Sequence, residues 1–195
     1  HTNDRRQRQM CIRDRRERIR DQMLHVLKAS QTAALMVTHD AEEAMFMSDN
    51  IVVLRDGEVQ QTGRPVNLYC QPNSAFVAEF FGEVNQFDGV VANGQIQTVL
   101  GDFAAPEGCG DGQQVQIVIR HEALNIEPDS AGANAEVMEA RLLGRASLIH
   151  LSVPTGTDEL HLHARVPGLN SLESGSRVRI TVDPSQAFVF PVTAA

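Results

Sequence analysis

The chain has 195 residues, 42% of them hydrophobic, and a formal net charge of −8. That length admits one large domain or two small ones with a buried core, and no run approaches the 18 or more apolar residues of a membrane-spanning helix. Residues 1–20 hold eight Arg against Asp4, Asp14 and Glu17, so the rest of the chain is strongly acidic, and a nucleic-acid partner, which needs a broad basic face, is not expected.

Cys11, Cys70 and Cys109 are widely spaced and contain no CxxC pair. They read as reduced structural thiols rather than a disulfide framework or a zinc site. No apolar leader segment follows the basic N-terminus, so the expected location is the cytoplasm. Residues 1–14 show no apolar period and read as a disordered or artefactual extension rather than an arginine-rich arm.

From Arg15 the pattern turns helical. Ile19, Met23, Leu24, Val26 and Leu27 form one stripe and predict a helix over 15–29. Ala33–Val37 is a short continuous apolar run, as in a strand covered on both faces. Asp40 and Glu43 have capping-box spacing, so a helix is expected from Ala41. His39 then sits at the joint between strand and helix.

Ile51–Leu54 and Val59–Thr62 flank Asp56-Gly57 and predict a hairpin. Pro65 suits the first turn of a helix to about Tyr69, and Pro72 breaks it. Ser74 is placed to cap a helix over Ala75–Phe81, with Gly82 as its C-terminal stop. Beyond Val84 the pattern becomes short β-rich runs: 87–91, 95–100, 114–119, 135–143, 146–153, 159–166, 177–182 and 187–190. Such spacing predicts a small barrel or sandwich. The expected division is therefore an α/β piece at 15–82 and an all-β piece at 83–195. The α/β piece offers too few elements to close a covered sheet.

His39 is the leading candidate for chemistry, because ligands of open α/β sheets bind beyond the carboxyl ends of the strands. A neutral imidazole there can donate to a phosphate oxygen. By position alone it can equally be a histidine that packs in the turn. His161 and His163 alternate on one run, so both rings share a face, with His150 or His121 as candidate neighbours for a metal or an anion. Lacking a carboxylate or thiolate at ligand spacing, they are expected as surface histidines, and no metal is expected. Met23, Met36, Met45 and Met47 are expected as core filling.

The run Leu35-Met-Val-Thr-His39-Asp-Ala-Glu-Glu-Ala-Met45, followed by Ser48 to Gly63, Pro65–Tyr69, Gln71-Pro72 and Phe76–Gly82, closely resembles the end of an ABC-transporter ATPase domain. The resemblance implies a fold class: α/β, a truncated P-loop NTPase domain, followed by an all-β OB-like TOBE domain. The second part rests on Ile119–Leu124, Ala140–Gly144 with Ser147–Leu151, Leu162–Gly168 and Gly175–Pro184.

It also implies roles. His39 would be the switch histidine that contacts the γ-phosphate of ATP, and Asp40 beside it a helix cap and candidate dimer contact. ATP and Mg2+ would be the cofactors. Membrane permease subunits and a second ATPase copy would be the partners, with a solute-binding protein linked indirectly. The subunit would sit on the inner face of the plasma membrane.

No G-x-x-x-x-G-K-[S/T] loop, no L-S-G-G-Q signature and no strand ending in Asp-Glu occurs in the chain. The resemblance therefore implies a C-terminal fragment that does not hydrolyse ATP alone. Phe80–Val91, Leu100–Pro106 and Ile119–Ala123 most resemble ferric-iron importers, with polyamine or another small solute as the alternative. A free-standing OB-like ligand-binding module is the rival reading.

Overall fold

The structure is a computed structural model that describes residues 18–128, 132–156, 158–168 and 172–192. The chain divides into two units, residues 1–51 and 52–195. The extension expected at 1–14 and Cys11 lie outside the described residues. Among the described residues no helix is long and apolar enough to cross a membrane.

The first unit holds a helix over 18–30 (α1) and a second, α2, Ala41–Met47. Arg20 stacks its guanidinium 5.5 Å from the centre of the Phe46 ring. The strand expected over 33–37 is not formed. Among the described residues no sheet includes this segment, and Leu35 and Val37 are 95% and 92% exposed. A parallel strand exists only through its neighbours, so an apolar run without them stays open. The four methionines are not core either: Met23 is exposed, and Met36, Met45 and Met47 are half-buried.

A hairpin follows, of β1, Ile51–Arg55, and β2, Glu58–Gly63. Asp56 and Gly57 adopt φ of 53° and 82°, the left-handed pair that a two-residue turn between twisted strands requires. Helix α3, Pro65–Cys70, starts on its proline. Helix α4, Ala75–Phe80, is capped by Ser74, whose hydroxyl accepts from the Val77 amide. Leu68, Val77 and Ala78 are fully buried.

Residues 84–191 are nearly all antiparallel β. The strands are β3 Val84–Val90, β4 Gln95–Thr98, β5 Gly101–Ala104, β6 Gln114–Arg120, β7 Leu124–Pro128, β8 Ala135–Leu142, β9 Ala146–Pro154, β10 Glu159–Pro167, β11 Arg177–Val182 and β12 Ala187–Pro191. They form sheets in the orders β10-β9-β8-β11-β7, β12-β6-β3 and β4-β5. The mostly β architecture is consistent with an OB-like domain. One core joins the sheets, built on Ile96, Ile117, Ile119, Leu124, Val137, Ile149, Leu151, Leu162 and Ile180. Alternation along β9 sends Ile149, Leu151 and Val153 inward and turns His150 outward.

Strands β5 and β7 were not expected. The turn into β5 rests on a Thr98 hydroxyl that donates to the Gly101 carbonyl. Strand β7 follows a single-turn helix, His121–Ala123, and pairs with β11 across more than fifty residues of chain, from Ile126 to Ile180. Neither feature has a local apolar period long enough to announce it.

One buried side chain ties α3 and α4 to the β domain. Arg120, at the end of β6, is fully buried. Its Nη1 donates to the Ala78 carbonyl at 3.2 Å, and its Nη2 donates to the Tyr69 carbonyl at 2.8 Å. The guanidinium lies 3.8 Å from the centre of the Tyr69 ring and 5.6 Å from that of Phe188. Burial lowers its pKa, and Tyr69 acts the other way. The helix ends just before Gly82, as expected, although the φ of Gly82 is not positive. A Cβ there would collide with Arg120 Nη1, so the position is small to admit the guanidinium.

Arg120→Ala strips two buried carbonyls of their donor, at about 1–3 kcal/mol each, and removes a desolvated cation–π contact. Urea unfolding should show a loss of about 3 kcal/mol or more. Gly82→Ala should lower stability by about 1–3 kcal/mol by crowding the same group. Midpoints unchanged in both variants would remove Arg120 as the fastening of α3 and α4.

Candidate functional site

The Thr38-His39-Asp40 turn leads into α2. The Asp40 backbone is extended, and its side chain accepts from the Glu43 amide at 3.0 Å. The capping box forms on that side only. Glu43 does not reach back to the Asp40 amide; that amide donates to Thr38 Oγ1 at 3.1 Å, and the Thr38 hydroxyl in turn donates to Glu43 Oε2 at 2.6 Å. Threonine thus relays what a capping box does directly. Thr38 and Asp40 are both held by these bonds, while the His39 ring between them is exposed. The turn therefore presents an imidazole outward from a hydrogen-bonded base.

A second group lies in the β domain. His163 on β10 stands opposite His150 on β9, and their rings meet edge to face at 4.4 Å between centres. The His121 ring lies 5.4 Å from that of His163. His161 shares the face of His163 but stands opposite Ser152. The expected neighbours His150 and His121 are therefore both present; of these four histidines His161 is exposed, and His121, His150 and His163 are half-buried. Among the described residues, no group of three or more His, Cys, Asp and Glu side chains is arranged to hold a metal ion. Cys70 and Cys109 are free thiols.

Burial pushes the His121 imidazole below the ordinary histidine value, Glu83 opposes the shift, and His163 adds to it. Burial also lowers His163, followed by the charge of His150, with Glu83 opposing. An open groove of about 520 Å³ runs along β3, β4 and the β9–β10 turn, lined by Phe87, Asp88, Thr98, Glu159 and Leu160 among others. Its walls carry two carboxylates and no basic side chain, so it does not fit a phosphate group.

Two buried polar positions had no local sequence signal. Arg120 follows the apolar run 114–119, and nothing near it in the chain marks its burial. Asn85 is buried: its Nδ2 donates to the His163 carbonyl at 2.9 Å, and its Oδ1 accepts from the His163 amide at 2.7 Å. The two residues are 78 positions apart, and no local pattern marks such a pair.

A family model described as the TOBE domain matches residues 117–190. A sulfate/thiosulfate import ATP-binding protein of Chromobacterium violaceum is 38% identical over 167 residues, covering 80% of this chain and 45% of that protein. A spermidine/putrescine import ATP-binding protein of Pseudomonas fluorescens is 38% identical over 179 residues, covering 84% and 46%. A xylose/arabinose import ATP-binding protein of Haloferax volcanii is 31% identical over 163 residues, covering 79% and 43%. The chain spans a little under half the length of these relatives.

Asp40→Ala removes the acceptor for the first turn of α2, a change worth about 1 kcal/mol. Hydrogen exchange at the Glu43 amide should then quicken by about fivefold. An unchanged rate would mean that the cap does not hold this helix.

Proposed function

We propose, from its homology to the C-terminal region of importer ABC ATP-binding subunits and from its TOBE domain, that this chain is the C-terminal part of a subunit that hydrolyses ATP to energise solute uptake. The observation that carries the reading is this homology along about four-fifths of the chain, across both units. Within it, the Thr38-His39-Asp40 turn is suited to phosphate chemistry, because it presents an exposed imidazole. Leu35 and Val37 add support: exposed apolar side chains just before the turn fit a strand whose neighbours belong to the rest of an α/β P-loop domain.

In the complete subunit, ATP with Mg2+ supplies the phosphoryl group. His39 donates a hydrogen bond from its imidazole to a γ-phosphate oxygen and so helps to hold the group in line. Phosphoryl transfer depends chiefly on such positioning and charge stabilisation. Thr38 and Asp40 act as positioning residues, because their bonds to Glu43 fix the turn from which the ring projects. Asp40 is also the proposed contact to a second ATPase copy. The permease subunits, that second copy and an indirect solute-binding protein are the proposed partners, at the inner face of the plasma membrane.

The solute is a separate matter, because transported solutes do not normally touch this subunit. Ferric iron rests on the resemblance of Phe80–Val91, Leu100–Pro106 and Ile119–Ala123 alone, and the relatives above carry sulfate, polyamine and pentose names. Polyamine import is the second reading, favoured by the spermidine/putrescine relative that matches 84% of this chain.

In the complete subunit, His39→Ala should lower ATP turnover by about 100-fold or more while nucleotide binding, read with a fluorescent ATP analogue, persists. The present 195-residue chain should show no turnover. Turnover by this chain alone, or wild-type turnover in the variant, would overturn the reading.

A further inference from the structure

The histidines of the β domain form a row with carboxylates at both ends. Glu83, just before β3, ion-pairs with Arg165 and has its Oε2 3.5 Å from His121 Nδ1. That nitrogen is buried and makes no hydrogen bond. His163 follows at 5.4 Å from His121, ring to ring, and His150 at 4.4 Å from His163. Glu139 on β8 stands opposite His150 on β9. Arg165 Nε also lies 3.8 Å from Glu122 Oε1.

Backbone contacts tie the row to the fold. The His121 amide donates to the Glu83 carbonyl at 3.1 Å. Asn85, two residues further on, holds both the amide and the carbonyl of His163. Two of the residues in these contacts, His121 and His163, carry rings that can gain charge.

We propose that Glu83, His121, His163 and His150 form a proton-responsive latch: neutral histidines hold the segment entering β3 against β10, and acidification releases it. The balance of charges supports release. A proton on His163 meets His121 on the single-turn helix, His150 on β9, and His161 and Arg165 on β10. The compensating carboxylates are Glu83, Glu122 and Glu139. Glu83 is already engaged by Arg165, and Glu122 lies near the same guanidinium. Glu139 is bound by Arg141 at 2.8 Å. Each added imidazolium therefore shares a carboxylate with an arginine and faces another histidine as a like charge.

The direction follows from linkage. The ordinary histidine value is 6.5, and both His121 and His163 are lowered from it in the folded chain. The released state then binds protons first as pH falls. Closure is favoured in full above that value and weakens as pH drops through it toward the folded values. The device needs no nucleotide and stands apart from the ATPase reading.

The test uses the full chain. Histidine ring resonances followed by NMR should show His121 and His163 titrating below the unfolded histidine value. Hydrogen exchange at the Asn85 and His163 amides, corrected for the intrinsic effect of pH, should lose protection about tenfold between about pH 7.5 and about pH 5.5. His163→Gln, which leaves only His121 of the two lowered histidines, should lose clearly less protection over that range. His150→Gln keeps the central ring and removes one like charge, so its release should move to lower pH. Equal protection of the wild type at both pH values would overturn the latch. So would an equal loss in His163→Gln, or release of His150→Gln at the wild-type pH.

Discussion

A guanidinium taken out of water must find acceptors in the protein, and Arg120 finds them on the two short helices that precede the β domain. Its bonds to the Tyr69 and Ala78 carbonyls draw together α3, α4 and the end of β6. The Tyr69 ring covers one face of the group, and the absence of a side chain at Gly82 leaves it room. Lysine cannot replace this geometry, because it lacks the planar fork that reaches two carbonyls at once. From the end of β6 the chain turns directly through His121–Ala123 into β7, so fixing Arg120 also fixes His121 and the row beside it.

The two candidate sites solve one problem by different means. Each must hold an imidazole in a defined place without burying it completely. The turn at 38–40 does so locally: Thr38, Asp40 and Glu43 bond among themselves and leave the ring of His39 outside. The β domain does so through distant partners, with Asn85 gripping the backbone of His163 and His150 packed against its ring. The first arrangement suits a group that meets a ligand. The second suits groups that sense one another, since partial burial makes neighbouring charges count.

Exposure carries its own information in the first unit. Leu35 and Val37 stand almost wholly in solvent within one short segment. The same segment is read from its sequence as a buried strand. The pattern and the structure disagree: the apolar run has no strand neighbour among the described residues.

The sequence by itself determined the local features. The period of 3.6 marked α1, the Asp56-Gly57 pair marked a turn that needs two left-handed residues, Pro65 and Ser74 marked helix starts, and alternation marked most strands of the β domain. Asp40 was legible as a cap because its partner lies three residues away. Tertiary structure alone decided the rest. Strand β7 exists through β11, Gly82 is small because of Arg120, and three histidines far apart in the chain became a row. The physical reason is separation along the chain. A backbone preference or a cap is settled within a few residues, whereas Arg120 bonds 51 positions away and Asn85 bonds 78 positions away. Such contacts are set by the register of a closed sheet, which no local pattern encodes.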